Sequence, residues 1–307
     1  MPSGAPGSPG ASLTEVSPSF PLARALRPRA HGDPAALAAS IVKHATLLVA
    51  TLMALFPLYV MVAGAFKSQS GFLRHPWAFP THPQLGGFRA ALNDQFPRWF
   101  ANSAILTTAS VAATLAIAAL AAWGFARWDF RGRDALLALL VSLMVVPPVV
   151  LLVPLFVFGV KLGWISTFRL VILIYVGLML PFSVFMLTSF FRTIPRSLIE
   201  AATMDGASSW AVFRRVVLPL SGAPLVTLAV VNLLWVWNEL LIALVFLQDD
   251  TKKTLMVGIT GFQSRYNLDV PAIMSGLTLA TLPVVTLYVF GQRFFVRGLV
   301  SGAVKGE

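Results

Sequence analysis

The chain has 307 residues, of which 57% are apolar and only 11% charged, with a mean hydropathy of +0.79. Soluble domains carry about 25% charged and about 45–50% apolar residues, so lipid is the solvent for much of this chain, and wholesale disorder, a collagen repeat and a coiled coil are excluded. The net charge of +11 falls between apolar runs, which assigns it to anionic headgroups and membrane orientation instead of nucleic acid, and the absence of cysteine excludes disulfides, thiolate nucleophiles and cysteine metal sites.

Residues 1–40 are rich in Pro, Gly, Ala and Ser without apolar periodicity, which predicts a flexible N-terminal tail. The first apolar run begins only at Ala45 and is too long for a cleaved leader, so it is expected to stay as a span. A spanning helix needs about 20 apolar residues, because every backbone polar group must be satisfied inside the segment. Six stretches qualify: 45–66, 104–125, 135–158, 170–190, 225–247 and 271–290. The expected fold class is all-α, a polytopic membrane protein with six transmembrane helices in residues 41–307. Segments 1–44, 126–134, 191–224 and 291–307 hold 14 Lys and Arg against 9 on the other side, with Arg127, Arg131 and Arg133 close together, which favours cytoplasmic termini.

In the loop after the first span, His75 and His82 lack a third ligand and read as solvated residues, so no metal is expected. The second span carries Ala109, Ala112, Ala113, Ala116, Ala118 and Ala122, either a surface for close helix approach or plain helix propensity. The third holds Pro147, Pro148 and Pro154, each removing a helix hydrogen bond, which predicts a bent helix packed in a bundle. The fifth holds Asn232, Asn238 and Glu239; an intramembrane carboxylate is costly, so Glu239 has either a role in a pathway or interface or a structural hydrogen bond.

Residues 194–219 predict two short helices around a glycine. Pro195 suits a first helical turn, and Leu198, Ile199, Ala202 and Met204 form an apolar stripe. Gly206 can adopt the left-handed conformation that ends a helix, and Ser208 or Ser209 can cap the next. Trp210, Phe213 and Val217 give that helix its apolar face before Pro219 stops it. Such an amphipathic knob is either an interfacial helix lying on the membrane or a docking element for a soluble partner.

The order Glu200-Ala201-Ala202, Gly206, Val216, Leu218-Pro219 resembles the EAA loop of permease subunits of binding-protein-dependent ABC importers, with Val216 where Ile is usual. Trp237-Asn238-Glu239-Leu240 resembles a Trp-Asn-Glu-Phe signature, and the ending from Arg293 through Gly298, Gly302, Lys305 and Gly306 resembles the tail of the maltose G-type carbohydrate permeases. Asn102-Ser103 and Leu162-Gly163 also sit where that family places similar residues. The resemblance spans about residues 40–306. It implies a cytoplasmic coupling loop, 194–219, in which Glu200, Ala201, Ala202, Asp205, Gly206, Ala207, Phe213, Leu218 and Pro219 engage an ATPase. It also implies a second homologous permease, two copies of the ATPase, an extracytoplasmic solute-binding protein, a sugar substrate and a plasma-membrane location with both termini cytoplasmic. The chain has no G-x-x-x-x-G-K-[ST] loop, so ATP and Mg are expected on the partner ATPase, with no cofactor or catalysis here. A sugar-facing surface should mix aromatic rings with hydrogen-bonding groups, which singles out Trp235, Trp237, Asn238 and Glu239 with Tyr175 and Ser183. The rival readings are an intrinsic channel or secondary transporter, for which no internal repeat between 45–158 and 170–290 is visible, and a membrane enzyme, for which only Glu239 lies within a span.

Overall fold

A computed structural model describes residues 34–263 and 268–303, with side chains from 37 to 263 and 268 to 290. Two compact units emerge, 1–56 and 57–307. The described part of the first is helix α1 (Pro34–Ala65), whose last turns belong to the second unit. Residues 34–40, assigned above to the tail, are therefore helical. Proline at a first helical position costs nothing, because that N–H has no partner within the helix. The rest of the expected tail lies outside the described residues.

In the second unit, short helices α2 (Gln69–Arg74) and α3 (Gly86–Ala91) precede α4 (Phe96–Arg127), α5 (Arg133–Ser142) and α6 (Pro148–Lys161). Then come α7 (Phe168–Phe191), α8 (Arg196–Met204), α9 (Ser209–Val212), α10 (Leu218–Leu220) and α11 (Gly222–Trp237). Helices α12 (Leu241–Phe246), α13 (Leu255–Thr260) and α14 (Val270–Ala303) complete the order, and no strand forms among the described residues. Four helices are long and apolar enough to cross a membrane unbroken, at Leu37–Ala65, Phe96–Arg127, Phe168–Phe191 and Val270–Phe290. Two more candidates are broken: α5 and its following 3-10 turn meet α6 at 98°, and Ser209–Leu220 meets α11 at 74°. Counting each bent pair as one span gives the expected six.

The first break is the bend that the prolines of the third span predict: extended Val146 and Pro147 separate α5 from α6, where Pro148 begins the new helix harmlessly. Pro154, by contrast, stays inside α6. A further break corrects an expectation: the fifth span is not one helix over 225–247, because α11 stops at Trp237 and α12 starts at Leu241.

Packing centres on α4 against α7. The buried stripe of α4 runs through Ser103, Thr107, Ser110, Thr114, Ala118 and Ala122, whereas Ala112 and Ala116 are exposed. Where lipid tails are as apolar as leucine, close approach of small residues supplies the dispersion energy that holds helices together. Two of the buried hydroxyls return to their own helices: Thr114 Oγ1 donates to Ser110 O at 2.8 Å and Ser183 Oγ to Met179 O at 2.7 Å. Asn232 of α11 then joins α7 by donating to Ser183 Oγ at 3.2 Å. Three apolar clusters follow along this axis, around Trp123 and Phe213, around Tyr175 and Phe246, and around Trp99 and Trp237.

One contact is close enough to be decisive. A Cβ added at Gly258 of α13 would lie 2.2 Å from the Trp99 ring, whereas at Gly177 of α7 nothing lies within 4 Å. Gly258→Ala is expected to destabilise by about 1–3 kcal/mol through overpacking, and Gly177→Ala to stabilise by about 0.5–1 kcal/mol through helix propensity. Thermal unfolding in detergent should move the two variants in opposite directions.

Candidate functional site

The segment between α7 and α11 forms two short helices around Gly206. Residue Gly206 has φ +82, its N–H donates to Thr203 O at 3.0 Å and the Ala207 N–H to Ala202 O at 3.0 Å. That bond pair is the Schellman closure of a helix whose first residue past the end must be left-handed. Ser208 caps α9 by accepting from Ala211 N at 3.3 Å. A π turn, Phe213–Val217, then widens the helix, and Leu218 N–H reaches back to Phe213 O. Proline at 219 therefore does not stop the helix as expected: it enters the first turn of α10, and the chain bends only at Ser221 and Gly222.

The wide turn also changes which side chains face inward. Val212, Phe213 and Val217 are buried, with the Phe213 ring 6.0 Å from Trp123, while Trp210 is 59% exposed. On α8 only Ile199 is buried, and Met204 is 87% exposed. Leu198 and Met204 of the apolar stripe on α8, with Trp210 of the following helix, thus form an outward apolar surface, while Ile199, Phe213 and Val217 turn inward. Of the predicted coupling residues, Glu200, Ala201, Asp205, Gly206 and Pro219 are exposed, Ala202, Ala207 and Leu218 are half-buried and Phe213 is buried. Glu200 carries no ion pair among the described residues.

The break after α11 is held by Glu239. Its Oε1 accepts from Ile242 N at 2.8 Å and its Oε2 from Ala243 N at 3.0 Å, so the carboxylate caps the first turn of α12. Tyr175 of α7 donates to Oε2 at 2.7 Å. This is the structural hydrogen bond that the sequence left as one of two options. Tyr175 is fully buried against the edge of Trp235, 5.7 Å between centroids. Ser183 is buried, and Trp237 is buried with Nε1 donating to Ala280 O at 3.1 Å. Trp235 and Asn238 are exposed, Asn238 folding back onto Leu234 O at 2.8 Å. The six predicted pathway residues therefore divide into buried Tyr175, Ser183 and Trp237, half-buried Glu239, and an exposed pair.

At the opposite end of the spans, side chains fasten loops through their backbone. Asn102 donates to Thr251 O and Lys253 O at 3.0 and 2.9 Å, and Ser103 Oγ accepts from Leu255 N at 2.8 Å. Ser166, at φ +57, accepts from Gln248 N and Asp249 N through its hydroxyl and from Lys252 Nζ through its carbonyl. A non-glycine residue there costs about 1–2 kcal/mol, which these bonds offset. Hydrogen bonds from the Thr251 hydroxyl and N–H hold the Asp249 carboxyl below the usual carboxylate range. Nothing in the sequence pointed to Ser166 or Lys252, since their partners lie about eighty residues away. Among the described residues no three His, Asp or Glu side chains gather as a metal site.

Broken spans, an outward apolar knob and loops tied to one end describe a polytopic membrane protein. A family model of binding-protein-dependent transport system inner membrane components matches residues 91–301. The chain is 40% identical over 261 residues to a putative ABC transporter permease protein, ORF2, of Caldicellulosiruptor sp. (strain Rt8B.4), covering 85% of this chain and 95% of that one. It is 33% identical over 265 residues to the trehalose/maltose transport system permease protein MalG of Thermococcus litoralis, again 85% and 95%. Its fold is like that of a chain in a bacterial ABC transporter involved in the import of the acidic polysaccharide alginate, with a TM-score of 0.75, 19% identity, and coverage of 86% and 99%. The chain belongs to the family of binding-protein-dependent transport system inner membrane components.

The Glu239 cap makes a prediction. Glu239→Ala should cost about 2 kcal/mol by losing the cap and orphaning the Tyr175 hydroxyl, and Tyr175→Phe about 1 kcal/mol. In a double-mutant cycle read by thermal unfolding in detergent the two losses should fall short of additivity, as for partners in one network.

Proposed function

We propose that the chain is a permease subunit of an ATP-driven carbohydrate importer, lining the pathway with a second homologous permease. The MalG relative's trehalose/maltose name and the likeness of residues 237–240 to the carbohydrate signature support the substrate class. Two copies of a cytoplasmic ATPase would hold ATP and Mg and hydrolyse it, an extracytoplasmic binding protein would deliver the sugar, and this chain would do no chemistry of its own. Both termini and the coupling loop, 194–219, would face the cytoplasm, as the arginine distribution favours.

The observation that carries the reading is the coupling loop. Its outward apolar patch, Leu198, Met204 and Trp210, is what a soluble partner buries. Its inward residues, Ile199 and Phe213, share one cluster with Trp123 of α4 and Leu187 of α7. Force applied to the knob would therefore reach two spans directly, and closing an ATPase pair would tilt them between two packings. In the pathway, Asn238 and Trp235 would face the sugar, while Glu239, Tyr175, Ser183 and Trp237 would hold them in position.

With no native cysteine, Met204→Cys offers a single thiol on the exposed face. In membranes it is expected to cross-link to a cysteine in the cleft of a co-expressed ATPase, with a yield that changes on adding ATP; a loop shielded by lipid instead would return the channel reading. Gly206→Val forces a β-branched residue to φ +82 and should reduce ATP-driven uptake severalfold while leaving assembly in the membrane intact. Normal uptake by that variant would count against the lever. Uptake should also fall in Asn238→Ala, and full transport there would remove Asn238 from the pathway.

A further inference from the structure

Where α4 and α7 end beside α8, the surface is hollowed into a pocket of about 360 Å³. Arg127, Arg133, Arg192 and Arg196 border it, and Trp123 and Phe191 form its apolar wall. The carboxylates available to these guanidinium groups are Asp129 and Asp134. Arg133 is engaged by both, at 3.1 Å from Nε to Asp134, and Arg192 lies 3.8 Å from Asp134. Arg127 and Arg196 have no carboxylate within ion-pair distance among the described residues. Four cations thus meet two anions, leaving about two positive charges on one concave surface.

Its depth is set by the sequence. The apolar spans Phe96–Arg127 and Phe168–Phe191 end at this pocket, so it lies where hydrocarbon gives way to headgroups. Trp123 and Trp128, with ring centroids 6.1 Å apart, add aromatic surface of the kind found at membrane interfaces. A guanidinium fork matches the paired oxygens of a phosphate, and basic pockets between spans suit the headgroups of anionic lipids.

The geometry points to a specific site for the phosphodiester headgroup of an anionic phospholipid, with Arg127 and Arg196 as its principal ligands and its acyl chains lying along α4 and α7. The site touches the coupling helix itself, since Arg196 opens α8 and Ile199 also lines the pocket. A bound headgroup would then brace α8 against α4. The same phosphate chemistry is offered by inorganic phosphate, and the level at which the spans end favours lipid.

Native mass spectrometry of the detergent-solubilised full chain, titrated with phosphatidylglycerol or phosphatidylcholine, tests this. One tightly retained phosphatidylglycerol, without a phosphatidylcholine counterpart, is expected. Its affinity should weaken roughly tenfold in Arg127→Gln and in Arg196→Gln, about the worth of one charge-assisted contact, and stay unchanged in Arg131→Gln, an exposed residue of the same loop outside the pocket. Charge-keeping Arg127→Lys and Arg196→Lys variants should bind between these limits and show that the fold is intact. Equal retention of the two lipids, or an equal loss in Arg131→Gln, would reduce the effect to diffuse attraction and overturn the site. Displacement of the lipid by millimolar inorganic phosphate would give the pocket to free phosphate and overturn the lipid assignment.

Discussion

A backbone that leaves the helix inside a membrane must find its hydrogen bonds elsewhere, because lipid offers none. This chain leaves the helix three times along its broken segments, and each exit has a local repair. At 238–240 the Glu239 carboxylate takes the first N–H groups of α12 and is itself held by Tyr175. At the bend before α11, Ser221 Oγ returns to Val217 O at 2.6 Å and the π turn carries the chain through Pro219. Between α5 and α6 the exit falls on prolines, which have no N–H to satisfy. A carboxylate in so apolar a segment, costly by itself, is thus the element that holds the break at 238–240.

The unbroken pair α4 and α7 gives these irregular segments something rigid to lean on. Small residues bring the two helices together, and the large aromatic residues sit at their ends, where Trp123 meets the coupling knob and Trp99 meets Gly258. A force arriving through Phe213 therefore acts on a close-packed axis, which transmits displacement without deforming.

Much of this was legible in the amino-acid order. Hydropathy located the spans because the length of a helix across hydrocarbon is fixed, and Gly206 announced its left-handed turn because few other residues tolerate one. The break at Asn238 was hidden, since residues 225–247 are apolar enough to read as one span and the Tyr175 that holds the capping Glu239 lies 64 positions earlier. The spacing of Phe213 and Val217 announced the face that is buried, but not the π turn that carries them, which alters periodicity without leaving a mark in composition. Ser166 was invisible altogether, because its conformation is imposed by the loop it holds.

That loop has a consequence for how such a subunit can diversify. Asn102, Ser103 and the Ser166 hydroxyl all grip the 248–255 segment by its amides and carbonyls, with no use of its side chains. The path of the segment is set largely by residues elsewhere in the chain, and Gln248 is left exposed without a part in the ion pairs that its neighbours form. Substitutions at Gln248 can therefore accumulate and reshape the face shown to whatever docks at that end, while the chain beneath keeps its course.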